Sequence, residues 1–357
     1  MKLTSWIVIL LITACAAWLC FWGLGKAPLE PWDEGVNADV IASSFKSRSP
    51  FILTKDNQPF FEKPPLWYWA TYVPVSVWGQ TPTTLRLVSS SAGLLLVLLV
   101  IGFTAKTAGV FPGLVSALSL LSARQLFFPN VAGYFSTHTL RSADADSLAL
   151  LFTVASWVLL CEVSKKRTRL FFPAIAATAL AFLAKGPIAL LPWISWFAYY
   201  VVNKKQLPVS WGKIGLGILA GTVILIPWYG YMTLSFGGDF LSSHILYHQI
   251  ARITSVLEGH AGPWYFYVSL FFDPRVYPLG IIVGTSALSV FLVKKLRNDV
   301  VAFTSAGSVL TLLVFLSFAQ TKLAWYILPA YPFAAVLLGK ITQFISTKSP
   351  SHFSAGN

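Results

Sequence analysis

The feature that most constrains this sequence is a series of apolar runs, many of them long enough to cross a lipid bilayer, separated by short polar breaks. A helix needs about 20 mainly apolar residues to span the hydrocarbon layer. Only 11% of the 357 residues are charged, whereas about 25% are charged in an ordinary soluble domain. The sequence therefore predicts an all-α integral membrane protein.

We expect about ten transmembrane helices in one domain covering residues 1–345, with a short cytoplasmic tail at 346–357 and no soluble C-terminal domain. Two outer loops are expected, at 23–87 and at 233–263. In the first loop, the stretches from Val36 to Arg48 and from Leu66 to Trp78 are expected to form interfacial helices. The expected spans are 5–22, 88–106, 113–131, 147–163, 170–184, 187–202, 214–232, 275–293, 300–318 and 323–341.

The formal charge of +13 belongs to the polar breaks and does not indicate a nucleic-acid-binding face. Basic residues are concentrated at 165–169, 204–213 and 294–297, which all lie on one side of the membrane if the N-terminus is cytoplasmic. The positive-inside rule favours this orientation. With it, all of the 13 acidic residues except Glu162 and Asp299 lie on the outer side. We therefore expect the polar chemistry at the outer face.

Several function classes lack their sequence motifs. The chain contains no Walker loop, no Rossmann glycine fingerprint and no Gly-x-Ser-x-Gly elbow, so ATP-driven transport and dinucleotide chemistry have no support. The stretch from Ile12 to Cys15 resembles a lipoprotein cleavage box. The apolar run continues through Trp22, however, which favours a retained signal anchor.

Acidic residues return repeatedly to the predicted outer face, at Asp33, Glu34, Glu62, Asp144 and Asp146. Such carboxylates can simply be solvated, and Arg141 has the spacing to pair with Asp144 on one helix face. Lys185 interrupts an apolar stretch, where a lysine either faces a cavity or extends to the membrane surface. Lys322 lies at the outer end of the last hairpin, where a loop charge is the simpler interpretation.

Three polar residues in the second outer loop are spaced by four and would share one helix face: His244, His248 and Arg252. One histidine together with a carboxylate from another loop would form a partial metal site. The planar guanidinium of Arg252 suits phosphate recognition.

Five motifs occur in a familiar order: PWDEG at 31–35, FEKPPLWYW at 61–69, FLAKGP at 182–187, GHAGPWY at 259–265 and KLAWYILP at 322–329. Together with Arg86 opening a span, they resemble GT-C membrane glycosyltransferases of the protein-mannosyltransferase-like superfamily. The resemblance is closest to the aminoarabinose (lipid A) transferase-like branch. Such enzymes pass a sugar from a polyprenyl-phosphate donor to an acceptor on the outer face of the bacterial cytoplasmic membrane.

The resemblance implies a role for each matching residue. Asp33 would be the catalytic base, with Asp144 as a second catalytic carboxylate. Glu62 and His248 match positions that can hold a divalent metal. The implied donor-phosphate set is Lys63, Arg86, Arg252 and Lys322, and the other polar site residues are Glu34, Lys185 and His260. One base without a covalent intermediate implies a single displacement and an inverted product.

Two departures limit what the resemblance implies. Val36 stands where relatives often have an arginine, and the chain ends soon after the last span. Lipid A, another lipid glycan, a polysaccharide and a protein remain open as acceptors. The alternatives are a transporter or flippase for a lipid-linked substrate and a non-enzymatic subunit of a glycan-assembly complex. Transporter sites typically lie near the bilayer midplane between repeats, and this sequence has no internal repeat.

Overall fold

The computed structural model describes residues 3–47, 51–133 and 137–347. Most of the predicted tail at 346–357 and the predicted end of the first interfacial helix at Arg48 therefore lie outside the described residues. The α-helices are α1 Leu3–Phe21, α2 Asp33–Ser47, α3 Leu66–Trp78, α4 Pro82–Ala108, α5 Val110–Ser122, α6 Asp146–Ser164, α7 Phe171–Lys185, α8 Leu191–Val202, α9 Trp211–Phe240, α10 Arg252–Thr254, α11 Phe266–Phe272, α12 Gly280–Leu292, α13 Lys294–Arg297, α14 Val300–Phe318 and α15 Ala330–Ser346.

The fold class is that of a helical membrane protein. Six helical segments in the described ranges are long and apolar enough to cross a membrane. They are Pro82–Ala108, Asp146–Ser164, Thr168–Lys185, Trp211–Thr254, Val300–Phe318 and Ala324–Ser346. The other four expected spans overlap shorter apolar helices of 10–17 residues: Ile7–Phe21, Val110–Ser122, Pro187–Val202 and Gly280–Leu292. Ten transmembrane helices therefore stay a prediction.

A small β-hairpin lies in the first long loop, which the sequence analysis did not predict. Strands β1 (Thr54–Lys55) and β2 (Gln58–Pro59) are antiparallel, with Thr54 opposite Pro59. The turn residues Asp56 and Asn57 have φ values of 52° and 61°. Two successive residues with positive φ are typical of a two-residue hairpin turn, and Asp and Asn tolerate that conformation.

The first part of the expected outer loop at 233–263 is helical, and its position outside the membrane stays a prediction. Helix α9 continues to Phe240, a π-helical segment (Leu241–Ala251) follows without a break, and α10 ends at Thr254. Gly237 has φ 49° and ψ −120° inside α9, a conformation that glycine adopts without the steric cost of a Cβ. The chain can therefore kink at Gly237 and remain helical, although the residues that follow are more polar than those before it.

Helix α15 lies at the centre of the bundle, since every residue from Ala330 to Lys340 is buried. Gly339 permits its close approach to α4 and α5, because a Cβ there would come within 2.5 Å of the Thr104 side chain and 2.8 Å of the Pro112 carbonyl. A buried hydrogen bond from Trp157 Nε1 to Thr304 Oγ1 (2.9 Å) joins α6 to α14. Small residues and interhelical hydrogen bonds are the usual means of packing membrane helices.

One end of the bundle gathers the polar segments. The N-termini of α2, α4 and α6 lie there with the C-terminus of α7 and the 137–145 segment. Trp67 Nε1 donates to Ser89 Oγ at 2.9 Å, and Ser89 Oγ donates to the Asp144 carbonyl at 2.7 Å. This relay ties α3 and α4 to the segment before α6, and so fixes the position of the carboxylates described next.

Candidate active site

Glu34 and Arg86 form a buried ion pair that holds the site together. Arg86 donates from Nε to Glu34 Oε1 at 2.8 Å and from Nη2 to Oε2 at 2.5 Å. The Ala143 amide donates to Oε1 at 2.8 Å. Burial acts to raise the pKa of Glu34, but these hydrogen bonds outweigh it and lower the pKa. The pair therefore joins α2 and α4 to the 137–145 segment.

Arg86 has no N–H group left for a phosphate. Its remaining donors bind three backbone carbonyls of the chain that follows α1, those of Leu24, Ala27 and Pro28, at 2.8–2.9 Å. The phosphate-binding role predicted for Arg86 therefore does not fit the structure. Arg86 and Glu34 are structural neighbours of the site.

Asp33 begins α2 and points into a separate, partly open cluster, with 18% of its side chain exposed. Its Oδ2 accepts a hydrogen bond from Thr137 Oγ1 at 3.2 Å and lies 3.1 Å from His138 Nε2. Its Oδ1 lies 3.8 Å from Lys63 Nζ. Burial acts to raise the pKa of Asp33, but His138, Lys63 and Thr137 together hold it below the usual range. Asp33 is therefore held as an ionised carboxylate whose side chain is partly exposed.

His138 is a site residue that the sequence analysis missed. It is 3% exposed, and its ring stacks on Trp325 with centroids 4.0 Å apart. Its Nδ1 lies 2.5 Å from Asp146 Oδ2, so the ring bridges Asp146 and Asp33. Burial lowers the pKa of His138, against the opposing charges of Asp144 and Asp33. The only sequence signal was its position six and eight residues before two aspartates.

Asp144 is buried beside this histidine. Its Oδ1 accepts a hydrogen bond from the Asp146 amide at 2.9 Å. Its Oδ2 lies 3.6 Å from His138 Nδ1 and has no hydrogen-bond partner among the described residues. Burial raises the pKa of Asp144 to about 6. Asp144 therefore lies in contact distance of the cluster and carries a proton more readily than an exposed aspartate.

The ion pair that the spacing of Arg141 and Asp144 would allow is not formed. Residues 139–145 form turns and bends in place of the helix that this pairing required. Arg141 donates to the carbonyls of Leu19 and Trp22, at the end of α1. Asp144 thereby points inward, away from Arg141.

Lys185, the last residue of α7, faces the cluster and does not extend to the membrane surface. Its Nζ forms an ion pair with Asp146 Oδ1. One ligand atom each from His138, Asp144 and Asp146 lie within 4.8 Å of one another, a spacing suited to a metal ion. Because the Lys185 ammonium already binds the Asp146 carboxylate, a cation is present there without a metal.

Lys63 occupies the opposite side of Asp33. Its Nζ lies 3.8 Å from Asp33 Oδ1, 3.8 Å from Glu62 Oε1 and 3.5 Å from Asn37 Oδ1. Burial acts to lower the pKa of Lys63, but the oxygens of Tyr68, Glu62 and Asp33 outweigh it and raise the pKa. The ammonium is thus surrounded by acceptors at long range and not locked to one of them.

Asn37 fixes this side of the cluster and was also missed. It accepts a 2.6 Å hydrogen bond from Tyr68 Oη and donates from Nδ2 to the Ala143 carbonyl at 2.8 Å. Asn37 lies one helical turn after Asp33 in α2. It therefore couples the orientation of α2 to α3 and to the 137–145 segment.

The charges of Glu62, Arg252 and Lys63 act on His248 in a second polar region of the site. Glu62 and Arg252 are both among the charged neighbours of His248. Arg252 donates from Nη2 to Glu258 Oε1 at 3.2 Å and hydrogen bonds to Tyr326. His248 Nδ1 is buried without a hydrogen-bond partner in the described part of the chain. An imidazole nitrogen and a nearby carboxylate fit two ligands of a divalent metal.

His244 supports this group from behind. Its Nδ1 lies 2.7 Å from the Phe61 carbonyl, and its ring stacks on Phe240 with centroids 5.1 Å apart. It is 1% exposed. His244 therefore anchors the π-helical segment to the residue that precedes Glu62.

Lys322 and His260 make their described contacts outside the Asp33 cluster. Lys322 Nζ donates to the carbonyls of Leu316 and Ser317 at 3.0 and 2.9 Å, which satisfies the end of α14. Two of its three N–H groups are thus used, and the structure supports a helix-capping role better than phosphate binding. His260 is exposed, and its Nε2 lies 4.0 Å from Glu258 Oε2.

No protein-family model matches the sequence. An uncharacterized protein of Aquifex aeolicus (strain VF5) is 29% identical over 309 residues, which are 86% of this chain and 66% of that protein. The undecaprenyl phosphate-alpha-4-amino-4-deoxy-L-arabinose arabinosyl transferase of Aeromonas salmonicida (strain A449) is 25% identical over 349 residues, or 95% of this chain and 60% of that one.

The crystal structure of ArnT from Cupriavidus metallidurans bound to undecaprenyl phosphate superposes with a TM-score of 0.74 and 23% identity, covering 97% of this chain and 63% of that chain. The chain has homologues among the arabinosyl transferases. Its fold is the ArnT-like GT-C membrane fold, as the motifs predicted. It spans slightly less than two thirds of these relatives' length.

Proposed function

We propose that this chain is an inverting glycosyltransferase that moves a sugar from a polyprenyl-phosphate donor to an acceptor at the membrane surface. The observation that carries the proposal is Asp33, an ionised and partly exposed carboxylate, with the Lys63 ammonium 3.8 Å away. A base beside a cation is what a displacement from a sugar phosphate requires. The homologous arabinosyl transferases by their name use such a donor, undecaprenyl phosphate linked to aminoarabinose.

The proposed reaction uses these groups in one displacement step. Asp33 accepts the proton of the acceptor hydroxyl as its oxygen forms a bond to the anomeric carbon. The bond from that carbon to the phosphate oxygen breaks, and the electron pair leaves with the polyprenyl phosphate. Lys63 and Arg252 stabilise the charge on the departing phosphate. Attack opposite the leaving group inverts the anomeric configuration.

Donor binding makes Asp33 a stronger base. In the free protein the Lys63 ammonium and the His138 ring hold its pKa low, which guarantees ionisation but weakens basicity. A phosphate bound to Lys63 competes with Asp33 for the same positive charge. The pKa of Asp33 then rises towards the range suited to proton transfer.

Glu62 and His248 would hold a divalent metal if one is needed. The unpartnered Nδ1 of His248 and the Glu62 carboxylate, whose charge acts on that imidazole, would be two of its ligands. A metal there would add positive charge next to the donor phosphate. Lys63 and Arg252 already place positive charge next to the donor phosphate, so the steps above do not depend on the metal.

We place the site on the outer face of the bacterial cytoplasmic membrane, with both chain ends in the cytoplasm. The distribution of lysine and arginine along the sequence supports this orientation. The acceptor is lipid A, another lipid or glycan, or a protein. Asp33 and Lys63 are both partly exposed, as contact with an acceptor of any of these kinds requires.

The test is release of polyprenyl phosphate by the purified protein from a panel of radiolabelled polyprenyl-phosphate sugars, with a membrane-lipid extract as acceptor. We expect release by the wild type and a loss of about 10²–10⁴-fold in Asp33→Asn. Asp39→Asn is the matched control, because Asp39 is an exposed aspartate of the same helix.

Equal release by the wild type and Asp33→Asn would remove Asp33 as the base. If no donor in the panel is cleaved but labelled lipid crosses the bilayer of protein-containing liposomes, the protein is a transporter. If neither occurs, and Asp33→Asn still supports glycan assembly in cells, it is a non-enzymatic subunit.

A further inference from the structure

A cavity lined by lysines lies at the opposite end of the bundle from Asp33. Helices α4 and α6 begin beside the carboxylate cluster, and the cavity lies where they end, at Thr107 and Ser164. The 27 residues of α4 span about 40 Å. The cavity therefore has no part in the chemistry proposed for Asp33.

This cavity, here called the basic groove, has a volume of about 500 Å³. Four lysines and one carboxylate line it, Lys165, Lys166, Lys205, Lys340 and Asp299. Lys340 is paired with Asp299 at 2.8 Å. Lys165 lies 3.0 Å from Glu162, but that carboxylate also pairs with Lys106 and Arg167, so it cannot neutralise all three cations. The groove is thus net positive and suits an anion.

Tyrosine hydroxyls set the shape of the basic groove. Tyr199 Oη donates to the Asn298 carbonyl at 2.8 Å and accepts from Lys205 Nζ. Tyr200 Oη donates to Ser164 Oγ at 2.8 Å. The rings are buried, so α8, α6 and the start of α14 hold the groove open as a formed site. A surface cluster of mobile lysines would not have such walls.

An apolar cavity of about 470 Å³ adjoins the basic groove and shares Tyr200, Lys205, Gln206 and Leu207 with it. This cavity, here called the apolar slot, is otherwise lined by Phe197, Val201, Val209 and Trp211. Val201 and Trp211 are 76% and 74% exposed, so the slot reaches the protein surface at these two residues. An exposed tryptophan at the start of a membrane helix is typical of headgroup depth.

We propose that the basic groove and the apolar slot together bind one anionic glycerophospholipid of the surrounding leaflet. The phosphate headgroup lies on Lys165, Lys166 and Lys205, and an acyl chain enters the slot past Val201. Basic pockets between membrane helices recognise anionic headgroups in this way. The adjoining apolar cavity favours a lipid over a free phosphate, because a small anion would leave the slot unused.

The test measures lipid binding to the delipidated full chain in detergent by native mass spectrometry. The probes are phosphatidylglycerol, phosphatidylcholine and glycerol 1-phosphate. We expect phosphatidylglycerol to bind at least about tenfold more tightly than phosphatidylcholine, since each basic residue near a headgroup strengthens binding severalfold. We expect glycerol 1-phosphate to leave bound phosphatidylglycerol in place at equal concentration.

The deciding variant is Lys165→Gln/Lys166→Gln/Lys205→Gln, which should lose the preference for phosphatidylglycerol. Its control is Lys213→Gln/Lys294→Gln/Lys295→Gln, which removes the same charge from exposed positions outside the groove. Should the first variant unfold on a thermal scan, the single change Lys166→Gln at an exposed position replaces it.

Three results would overturn the proposal. Equal loss in both triple variants would mean that net charge alone attracts the lipid. Equal binding of phosphatidylcholine would remove the role of the lysines. Displacement of phosphatidylglycerol by equimolar glycerol 1-phosphate would make the groove a site for small anions.

Discussion

Arg86→Met tests whether this arginine holds the fold or binds the donor. The substitution preserves much of the side-chain volume and removes all five N–H donors. Glu34, which is 3% exposed, would keep only the amides of Ala143 and Glu30 as partners. Removing one partner of a buried ion pair costs about 3–5 kcal/mol, since the other charge stays buried. We expect a loss of unfolding free energy of that size.

The double variant Glu34→Gln/Arg86→Met separates the ion pair from the backbone contacts. Because it removes the uncompensated charge, it should be more stable than Arg86→Met by about 1 kcal/mol or more. Arg141→Met is the control, since Arg141 also donates to backbone carbonyls but is only partly buried. We expect it to cost less than Arg86→Met.

The assay is unfolding in mixed micelles followed by circular dichroism, together with the dissociation constant for undecaprenyl phosphate. The structure predicts a large loss of stability and little change in that constant for the fraction still folded. Unchanged stability with binding weakened tenfold or more would refute the structural role of Arg86. It would also restore the phosphate-binding role that the sequence suggested.

Three other substitutions test single groups of the carboxylate cluster. Lys63→Gln should weaken undecaprenyl phosphate binding by about tenfold to a hundredfold, measured as a dissociation constant by titration. The control is Lys46→Gln, which changes an exposed lysine of α2. Equal dissociation constants for the two variants would exclude Lys63 from the phosphate site. His138→Asn should lower kcat by about a hundredfold through misplacement of Asp33 while leaving the donor KM unchanged, and a change in KM alone would contradict this. Burial raises the pKa of Asp144 from 3.8 to about 6, so between these pH values the native state binds more protons than the unfolded state and the free energy of unfolding falls as the pH rises. Unfolding measured at several pH values should show this pH dependence in the wild type and lose it in Asp144→Asn. An unchanged pH dependence in the variant would mean that Asp144 is not the group responsible.

The helices could be predicted from the sequence because each apolar run is a local signal. The interval Leu66–Trp78 was expected as an interfacial helix and is α3, and the span expected at 300–318 is α14. The continuation of α9 beyond residue 232 could not be predicted, since Gly237 and the polar residues after it resemble a loop. A kink and a π-helical segment absorb them in the structure.

The motifs marked two of the central residues of the site. Asp33 and Lys63 were found in this way, and the structure brings them within 3.8 Å. The partners of Arg86 depend on contacts across 52 to 62 residues of sequence, and such contacts leave no local pattern. His138 was missed for the same reason, because only the folded 137–145 segment brings it against Asp33.

The most direct test of the central claim separates binding from chemistry at Asp33. The donor sugar that the release panel identifies is bound to excess protein, and polyprenyl phosphate release is followed over a single turnover after acceptor is added. Asp33→Asn should bind the donor with a dissociation constant within a few-fold of the wild type and release product about 10²–10⁴-fold more slowly. Release at the wild-type rate, or a rate loss explained entirely by weaker donor binding, would contradict the assignment of Asp33 as the base.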